Sequence, residues 1–446
     1  MNNEQLKVAR PAAPDELLIV HCALLIENML LSYLKIAWKV LLRRKFFTAI
    51  SLFGISFTLM ILLVVYAMFD FTVGPHRPEL RVDRLLFINR IQLVYRDGGT
   101  GNSNIGYAFL NQRVRTLRTA ELVSLSLGNW DAVSAYVGNQ VLKLDRKYTD
   151  GEFWQVLNFD FVAGRPYNLR EVREAAHVAV LNETSARRYF GPNAATAVGR
   201  FVVLDAVRYQ VVGVVRDVGL SRIYSYADVW LPITTTTDDL RKPDYMGRYQ
   251  AIVLARTPAD VPRIQSEYQQ VVAHAPLPDP KRHSKVLSFA RLLLAASTAQ
   301  YNNNMEADGG VGGFVRLLLG LGGLFLLLPA LNLVNINVSR TLERASEIGV
   351  RKAFGATAGR LVAQFLVENI FLTLVGGVLG LGLAAGMLAL LNGSHFIAYS
   401  QFELNGRVYA VGLGIVLFFG VLSGAYPAYK MSKLQAVKAL KGETAA

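Results

Sequence analysis

The sequence predicts an α-helical membrane protein: four transmembrane helices, with an extracytoplasmic α+β domain of two lobes inserted between helices one and two. Three observations carry that expectation. Hydrophobic residues make up 52% of the chain. Four runs, residues 46–69, 317–338, 369–391 and 408–429, hold no Asp, Glu, Lys or Arg. Each is long enough to cross a hydrocarbon core of about 30 Å, which takes roughly 20 helical residues. Basic residues also fall on one side of these runs. Lys35, Lys39, Arg43, Arg44 and Lys45 precede the first, and Arg340, Arg344, Arg351, Lys352 and Arg360 stand between the second and third. Lys430, Lys433, Lys438 and Lys441 come after the fourth, whereas the loop between the third and fourth offers only Arg407, with Glu403 beside it. Basic flanks mark the cytoplasmic side, so both termini are expected inside and residues 70–316 outside.

The net charge of +14 comes in large part from these flanks. Anionic lipid headgroups are its natural partner, and no nucleic acid is implied. The one cysteine, Cys22, falls on the predicted cytoplasmic side. The outside domain therefore cannot rest on disulfides and needs an ordinary core.

Taken in order, residues 1–28 carry the apolar patch Leu17–Ile26 with no basic segment ahead of it and no small-residue cleavage site, so they do not read as a signal peptide. They are expected to be a dispensable N-terminal extension, with Met29 the natural start. Residues 29–45 place Leu34, Trp38, Leu41 and Leu42 on one helical face and Lys35, Lys39 and Arg43 on another, the pattern of an amphipathic helix on the inner membrane face. The first span comes next, at 46–69.

In the segment 70–316, Arg84–Tyr95 reads as a strand and Gly101–Asn104 as a flexible turn. Tyr107–Leu117 reads as a helix with Phe109, Leu110 and Val114 inward, and Gln140–Leu144 as a short strand. Val178–Leu181, Phe201–Leu204, Tyr209–Val215 and Gln250–Ala255 alternate or run apolar as strands. Glu183–Tyr189 and Asp260–Ala273 have helical spacing, the latter with Ile264, Tyr268 and Val271 on its apolar side. Gly309–Gly313 reads as a hinge into the second span, 317–338, which Pro329 should kink. The third span, 369–391, and the fourth, 408–429, hold the pairs Gly376/Gly380, Gly382/Gly386 and Gly420/Gly424. Four-residue spacing of glycines lets helix backbones approach closely, within one chain or between two copies. Residues 430–446 form a cytoplasmic tail.

Between the second and third spans lies a charged stretch of different character, residues 339–357. Arg344, Glu347, Arg351 and Lys352 alternate with the apolar Leu342, Ala345, Ile348 and Phe354, with Gly349 among them. Glu347 precedes Arg351 by four residues, the favourable order for a helical ion pair. Gly355 supplies a helix stop, and Thr357 can cap the next helix. From its own residues the stretch is either a short surface helix closing a hairpin or a docking segment. The chain shows no G-x-x-x-x-G-K-[ST] phosphate loop, no Cys/His cluster and no G-x-S-x-G, so its residues point to no enzyme.

The run Arg344-Ala345-Ser346-Glu347-Ile348-Gly349-Val350-Arg351-Lys352-Ala353-Phe354-Gly355-Ala356 resembles the cytoplasmic signature of the FtsX-like permease superfamily, especially the MacB-type permeases of ABC transporters. Gln364–Glu368, Gly424–Ala428 and Ala439-Leu440 continue the likeness. Outside the membrane, Gly164-Arg165, Val178–Glu183, Phe190-Gly191, Val198-Gly199, Val211–Asp217 and Leu231-Pro232 are similar to the family's periplasmic core domain. The resemblance covers about residues 29–441 and is thin across 75–130 and 275–310.

It implies a bacterial inner-membrane permease with its large domain outside, working as a homodimer or heterodimer by mechanical transmission. Residues 339–357 would be the coupling helix on a separate ABC ATPase subunit, with Leu342, Arg344, Ala345, Glu347, Ile348, Gly349, Arg351, Lys352 and Phe354 at that interface. ATP and magnesium would sit in that subunit, and this chain would bind no cofactor. A periplasmic adaptor would be a further partner. The resemblance places a membrane-near lobe at about 75–147 and 236–310, with a second lobe inserted at about 148–235. Two functions fit: export or extraction of a peptide, antibiotic or lipid-linked substrate, or transmission of a signal to an outside enzyme or sensor.

Overall fold

The computed structural model describes Trp38, Leu42 and residues 45–137, 140–343, 349–350, 353–355, 357–394 and 396–432. Residues 1–28, most of the expected amphipathic helix and the tail from 433 lie outside the described residues. The chain divides into a helical unit, Met1–Val65 with Gly320–Met387 and Leu404–Ala446, and a second unit, Tyr66–Leu319 with Leu388–Glu403.

Apolar composition makes the first long helix, α1 (Lys45–Val73). Strands β1 (Leu85–Ile88), β2 (Ile91–Tyr95) and β3 (Thr100–Ile105) come after it, then β4 (Ala120–Leu127), β5 (Asp131–Val137) and β6 (Gln140–Thr149). Next are β7 (Phe161–Gly164), β8 (Val178–Asn182), helix α2 (Glu183–Phe190), β9 (Phe201–Leu204), β10 (Val207–Val215) and β11 (Val229–Pro232). The domain closes with β12 (Met246–Gly247), β13 (Tyr249–Ala255), α3 (Val261–Ala273), β14 (His283–Ser288), β15 (Arg291–Leu292) and α4 (Leu293–Asn302). Three long helices complete the chain: α5 (Val311–Glu343), α6 (Ala358–Ser394) and α7 (Gly406–Ser432).

Strand pairing falls into two runs. In the first, β15, β1, β13 and β4 pair in that order, and β13 also meets β3, which leads to β2 and β14. In the second, β11–β8–β10–β9–β5–β6 returns to β11, a pairing circuit that closes on itself, with β7 on β10. One residue pair, Ser126↔Thr149, joins β4 to β6 across the two runs. A continuous apolar core runs through both, from Leu85–Ile88 and Ile252–Leu254 to Val178–Leu181 and Trp230.

Local chemistry explains the boundaries. The Asn182 side chain accepts from the Ser185 amide and starts α2, while Gly191 ends it at φ +105°. Asn89 and Arg90 break the expected strand Arg84–Tyr95 in two, because β1 pairs with β13 and β15 while β2 pairs with β3 and β14. Gly101–Asn104, expected as a turn, is inside β3, where residues Thr100–Ser103 pair with Ile91–Val94. Hairpin pairing with β2, supported by β12 and β13 at Asn104 and Ile105, overrides the turn chemistry of those residues, and the turn falls at residues 96–99, with Gly98 at φ +88°. On α3 the buried residues are Val261, Ile264, Tyr268 and Val272, so Val272 takes the place expected of Val271. The expected lobe boundary at 147/148 falls inside β6.

In the helical unit, Ile55 and Leu59 of α1 pack with Ala330, Leu372, Val416 and Phe419. Phe53, Phe57, Val378 and Phe418 point outward, as side chains facing hydrocarbon would. Three segments, Thr48–Val73, Gly359–Ser394 and Gly406–Ala425, are long and apolar enough to cross a membrane. In α5 the described apolar stretch is Val311–Leu327. Pro329 does not end α5, which runs through to Glu343. Residues 339–343 thus continue the second helix.

Candidate functional site

The last turn of α1 runs directly into the outside domain, and a buried polar cluster fixes it there. Arg222 and Glu79, each 2% exposed or less, form an ion pair of 2.5 Å. The same guanidinium donates from Nη2 to the Phe71 carbonyl at 2.6 Å and the Gly74 carbonyl at 2.9 Å, and lies 5.5 Å from the centre of the Phe71 ring. The other Glu79 oxygen accepts from Ser225 Oγ at 2.5 Å. Gly74 is needed at this exit: a Cβ there would stand 2.4 Å from the Asp70 carbonyl. His76 closes the corner on Asp70 at 2.7 Å. A buried ion pair adds little net stability but breaks at high cost when one partner is lost. Such a pair serves better as a fixed joint than as a source of stability.

Behind this joint sits Lys147 on β6, fully buried. Its Nζ donates to the carbonyls of Ile223 and Tyr224 at 3.0 and 3.1 Å. Burial pushes its ammonium down to about 7, with Glu79 pulling the other way. The Tyr224 hydroxyl accepts from Asn89 Nδ2 at 3.1 Å, and its ring lies 4.4 Å from that of Phe87. The joint thereby reaches β1 of the first strand run.

The segment between α6 and α7 docks on the same domain. Asn392 and Phe402 exchange two hydrogen bonds, at 3.0 and 2.9 Å, and the Phe402 ring meets Phe71 edge-on at 5.1 Å. The Leu220 amide donates to the Ala398 carbonyl at 3.1 Å. Tyr399, held at φ +56°, gives its hydroxyl to Asp228, which also accepts from the Asp145 amide at 2.9 Å and Asn182 Nδ2 at 3.0 Å. Burial raises the Asp228 carboxyl above the usual range. A positive φ at a non-glycine residue costs of order 1–3 kcal/mol and persists where surroundings over-determine it.

Of the residues expected at the coupling interface, Leu342 lies in the last turn of α5, Gly349 is buried in a helical piece, and Phe354 is 88% exposed. Gly355 stands at φ +89°, and α6 begins at Ala358, directly after Thr357. Arg344, Ala345, Glu347, Ile348, Arg351 and Lys352 lie outside the described residues.

Among the glycines, a Cβ on Gly376 would come within 2.7 Å of Ile55 and one on Gly380 within 3.0 Å of Leu59 and the Ser56 carbonyl. Gly420 faces Thr373 and Ile370 of α6, and Gly424 faces Asn369. Gly382 and Gly386 face open space. Sequence reasoning missed Glu79, Lys147, Arg222 and Tyr399. Each is a common residue in a stretch without periodicity, and Phe71-Thr72-Val73-Gly74, the abrupt end of an apolar run on a glycine, is the one signal that something must hold the chain there.

Two family models match. The MacB-like periplasmic core domain covers residues 48–271 and the FtsX-like permease C-terminal domain covers 319–436. The chain is similar to the macrolide export ATP-binding/permease protein MacB of Bdellovibrio bacteriovorus, 27% identical over 63% of this chain and 41% of that one. It is 25% identical to the MacB of Wolinella succinogenes over 95% of this chain and 62% of that one. It is 23% identical to the uncharacterized ABC transporter permease YknZ of Bacillus subtilis over 65% and 68% respectively. The chain thus spans about half the length of the MacB relatives.

Proposed function

Because this chain belongs to the family of FtsX-like permeases with a MacB-like periplasmic core domain, we propose that it couples ATP hydrolysis by a separate ABC ATPase subunit to movement of its outside domain. In this reading α1, α5, α6 and α7 are four spans with both termini cytoplasmic, and the chain works as a dimer. The residues of 339–357 dock on the ATPase, where ATP and magnesium bind. One observation carries the proposal. Arg222 ties two carbonyls at the end of α1 to a buried carboxylate of the domain, so a displacement of that helix end moves the domain with it. The substrate class that fits is a peptide, antibiotic or lipid-linked molecule handled outside the membrane. A relative's name as a macrolide exporter agrees with the antibiotic.

The ATPase end of the stroke tests the reading. A charge or bulky ring in a packed interface centre costs several kcal/mol, whereas a rim charge tunes encounter. Ile348→Asp or Gly349→Trp is expected to abolish co-purification with the ATPase and stimulation of its activity in nanodiscs, with membrane insertion unchanged. Lys352→Ala is expected to do little, since an exposed charge contributes about 1 kcal/mol at most. Unchanged co-purification and activity in Ile348→Asp would leave the stretch as a plain hairpin.

A further inference from the structure

Beside the end of α1 lies a cleft of about 970 Å³ that no part of the coupling reading uses. It is lined by Phe71, Gly219 and residues of the 397–403 segment, by α2 together with Arg216 and Asp217, and by Arg77 and Asp160. Most of its acids are taken. Asp160 pairs with Arg77 at 2.5 Å, Glu183 with Arg187 at 2.5 Å, and Asp217 accepts from the amide and hydroxyl of Thr184 at 2.9 and 2.7 Å. Arg188 and Arg216 have no acidic partner among the described residues, and Glu403 at the exposed rim has no basic one. A second observation points to a ligand. Ser400, 6% exposed, lines the cleft, and its hydroxyl has no hydrogen-bond partner among the described residues.

Two unpaired guanidiniums, a buried hydroxyl and one separate carboxylate match a zwitterion carrying an oxyanion at one end and an ammonium at the other. Guanidinium planes suit phosphate oxygens, which they bind by paired hydrogen bonds. The position selects the carrier. Phe71 is in the last turns of α1 and Asn392 in the last turn of α6, so the cleft opens where two apolar helices end, at the depth of lipid headgroups. The volume leaves ample room for a headgroup with its glycerol. We infer that this cleft binds the headgroup of an outer-leaflet phospholipid of the phosphoethanolamine type, its phosphate at Arg188, Arg216 and Ser400 and its ammonium at Glu403. This rests on the membrane-permease reading for its depth and names a lipid as ligand or substrate of the outside face.

The test uses the full chain in detergent with three probes: dioleoyl phosphatidylethanolamine, dioleoylglycerol with the same tails, and glycerophosphoethanolamine with the same headgroup. Saturable binding of the phospholipid is expected, at least tenfold tighter than either fragment. Arg188→Ala with Arg216→Ala should weaken it tenfold or more, and Glu403→Gln about threefold, with Glu403→Gln sparing dioleoyl phosphatidylglycerol. Equal binding of dioleoylglycerol would make the site one for tails and overturn the inference. Equal binding of glycerophosphoethanolamine would make it a site for a free solute and overturn the lipid assignment. Unchanged affinity in the double variant would overturn the arginine roles. Should that variant fail to fold, the three probes on the native chain and Glu403→Gln still decide. No ATPase is present, so failure here leaves the coupling proposal to stand or fall on Ile348→Asp.

Discussion

Lys147 is where the cost of the joint concentrates. Its ammonium titrates near 7 in the fold and near 10.5 when unfolded. Below pH 7 the folded chain must carry the buried charge, and the full penalty applies; through the window from 7 to 10.5 the unfolded chain binds the extra proton and the penalty shrinks; above 10.5 it is gone. Stability should therefore rise with pH between 7 and 9, by up to about 1.4 kcal/mol per unit. Melting of the detergent-solubilised chain checks this, and Lys147→Met should flatten the slope. The ion pair beside it gives a second expectation. Arg222→Ala strands Glu79 in the core and should cost about 3–5 kcal/mol, while Glu79→Met with Arg222→Met together should recover most of that loss. A double variant as unstable as the single one would show that the ties to Phe71 and Gly74, rather than the pair, carry the cost. Neither residue was legible in the sequence. A charge 1% exposed looks there like any of the 18% that are charged, since only the folded partner shows it is inside.

The helices α1, α6 and α7 were readable because a long uncharged run has one physical outcome in hydrocarbon. Their expected ends fell short, since a helix continues into the interface after its apolar residues stop: α6 runs from Ala358 to Ser394 around the expected 369–391. Strands were harder. β8, α2, β9 and β10 carry their own caps and periodicity, whereas β3 exists because Ile91–Val94 lies on one side of it and β12 and β13 on the other. The glycine pairs were legible as a pattern but not in direction. Gly380 is pressed on Ser56 and Leu59, while Gly382 faces open space. Gly380→Leu should thus overpack the helical unit and cost about 1–3 kcal/mol. Gly382→Leu should leave the melting of the single chain unchanged and weaken self-association in cross-linking, if that face meets a second copy. Equal melting losses from both would mean that the open face is packed within the chain.

Charge placement decides the topology of the whole molecule, and a reporter that folds only in the cytoplasm reads it out. Fused after Ala446 it should be active, and inserted at Gly98, in the tight turn before β3, it should be silent. Activity at Gly98 would reverse the domain to the inner side. The stretch 339–357 was the most specific motif in the sequence, because its family likeness is written in consecutive residues. The joint was the least, because Glu79, Lys147 and Arg222 meet only through the tertiary fold.

The pairing circuit of β5, β6 and β8–β11 has a consequence for how such proteins diversify. Its two ends lie against one strand: Asp131, where β5 begins, is opposite Arg146 of β6, and Pro232, where β11 ends, is opposite Thr149 of the same strand. A segment whose two ends come together on a stable neighbour can be exchanged as a cassette without rethreading that neighbour. What a transplant has to keep is the side-chain seam, which includes Glu79 to Arg222, Arg81 to the carbonyls of Gln155 and Val156, Asn89 to Tyr224, Arg115 to Asp150 and Glu152, and Arg248 to Asp131. One circuit can then be replaced by another on an unchanged remainder of the domain, so long as these contacts travel with it.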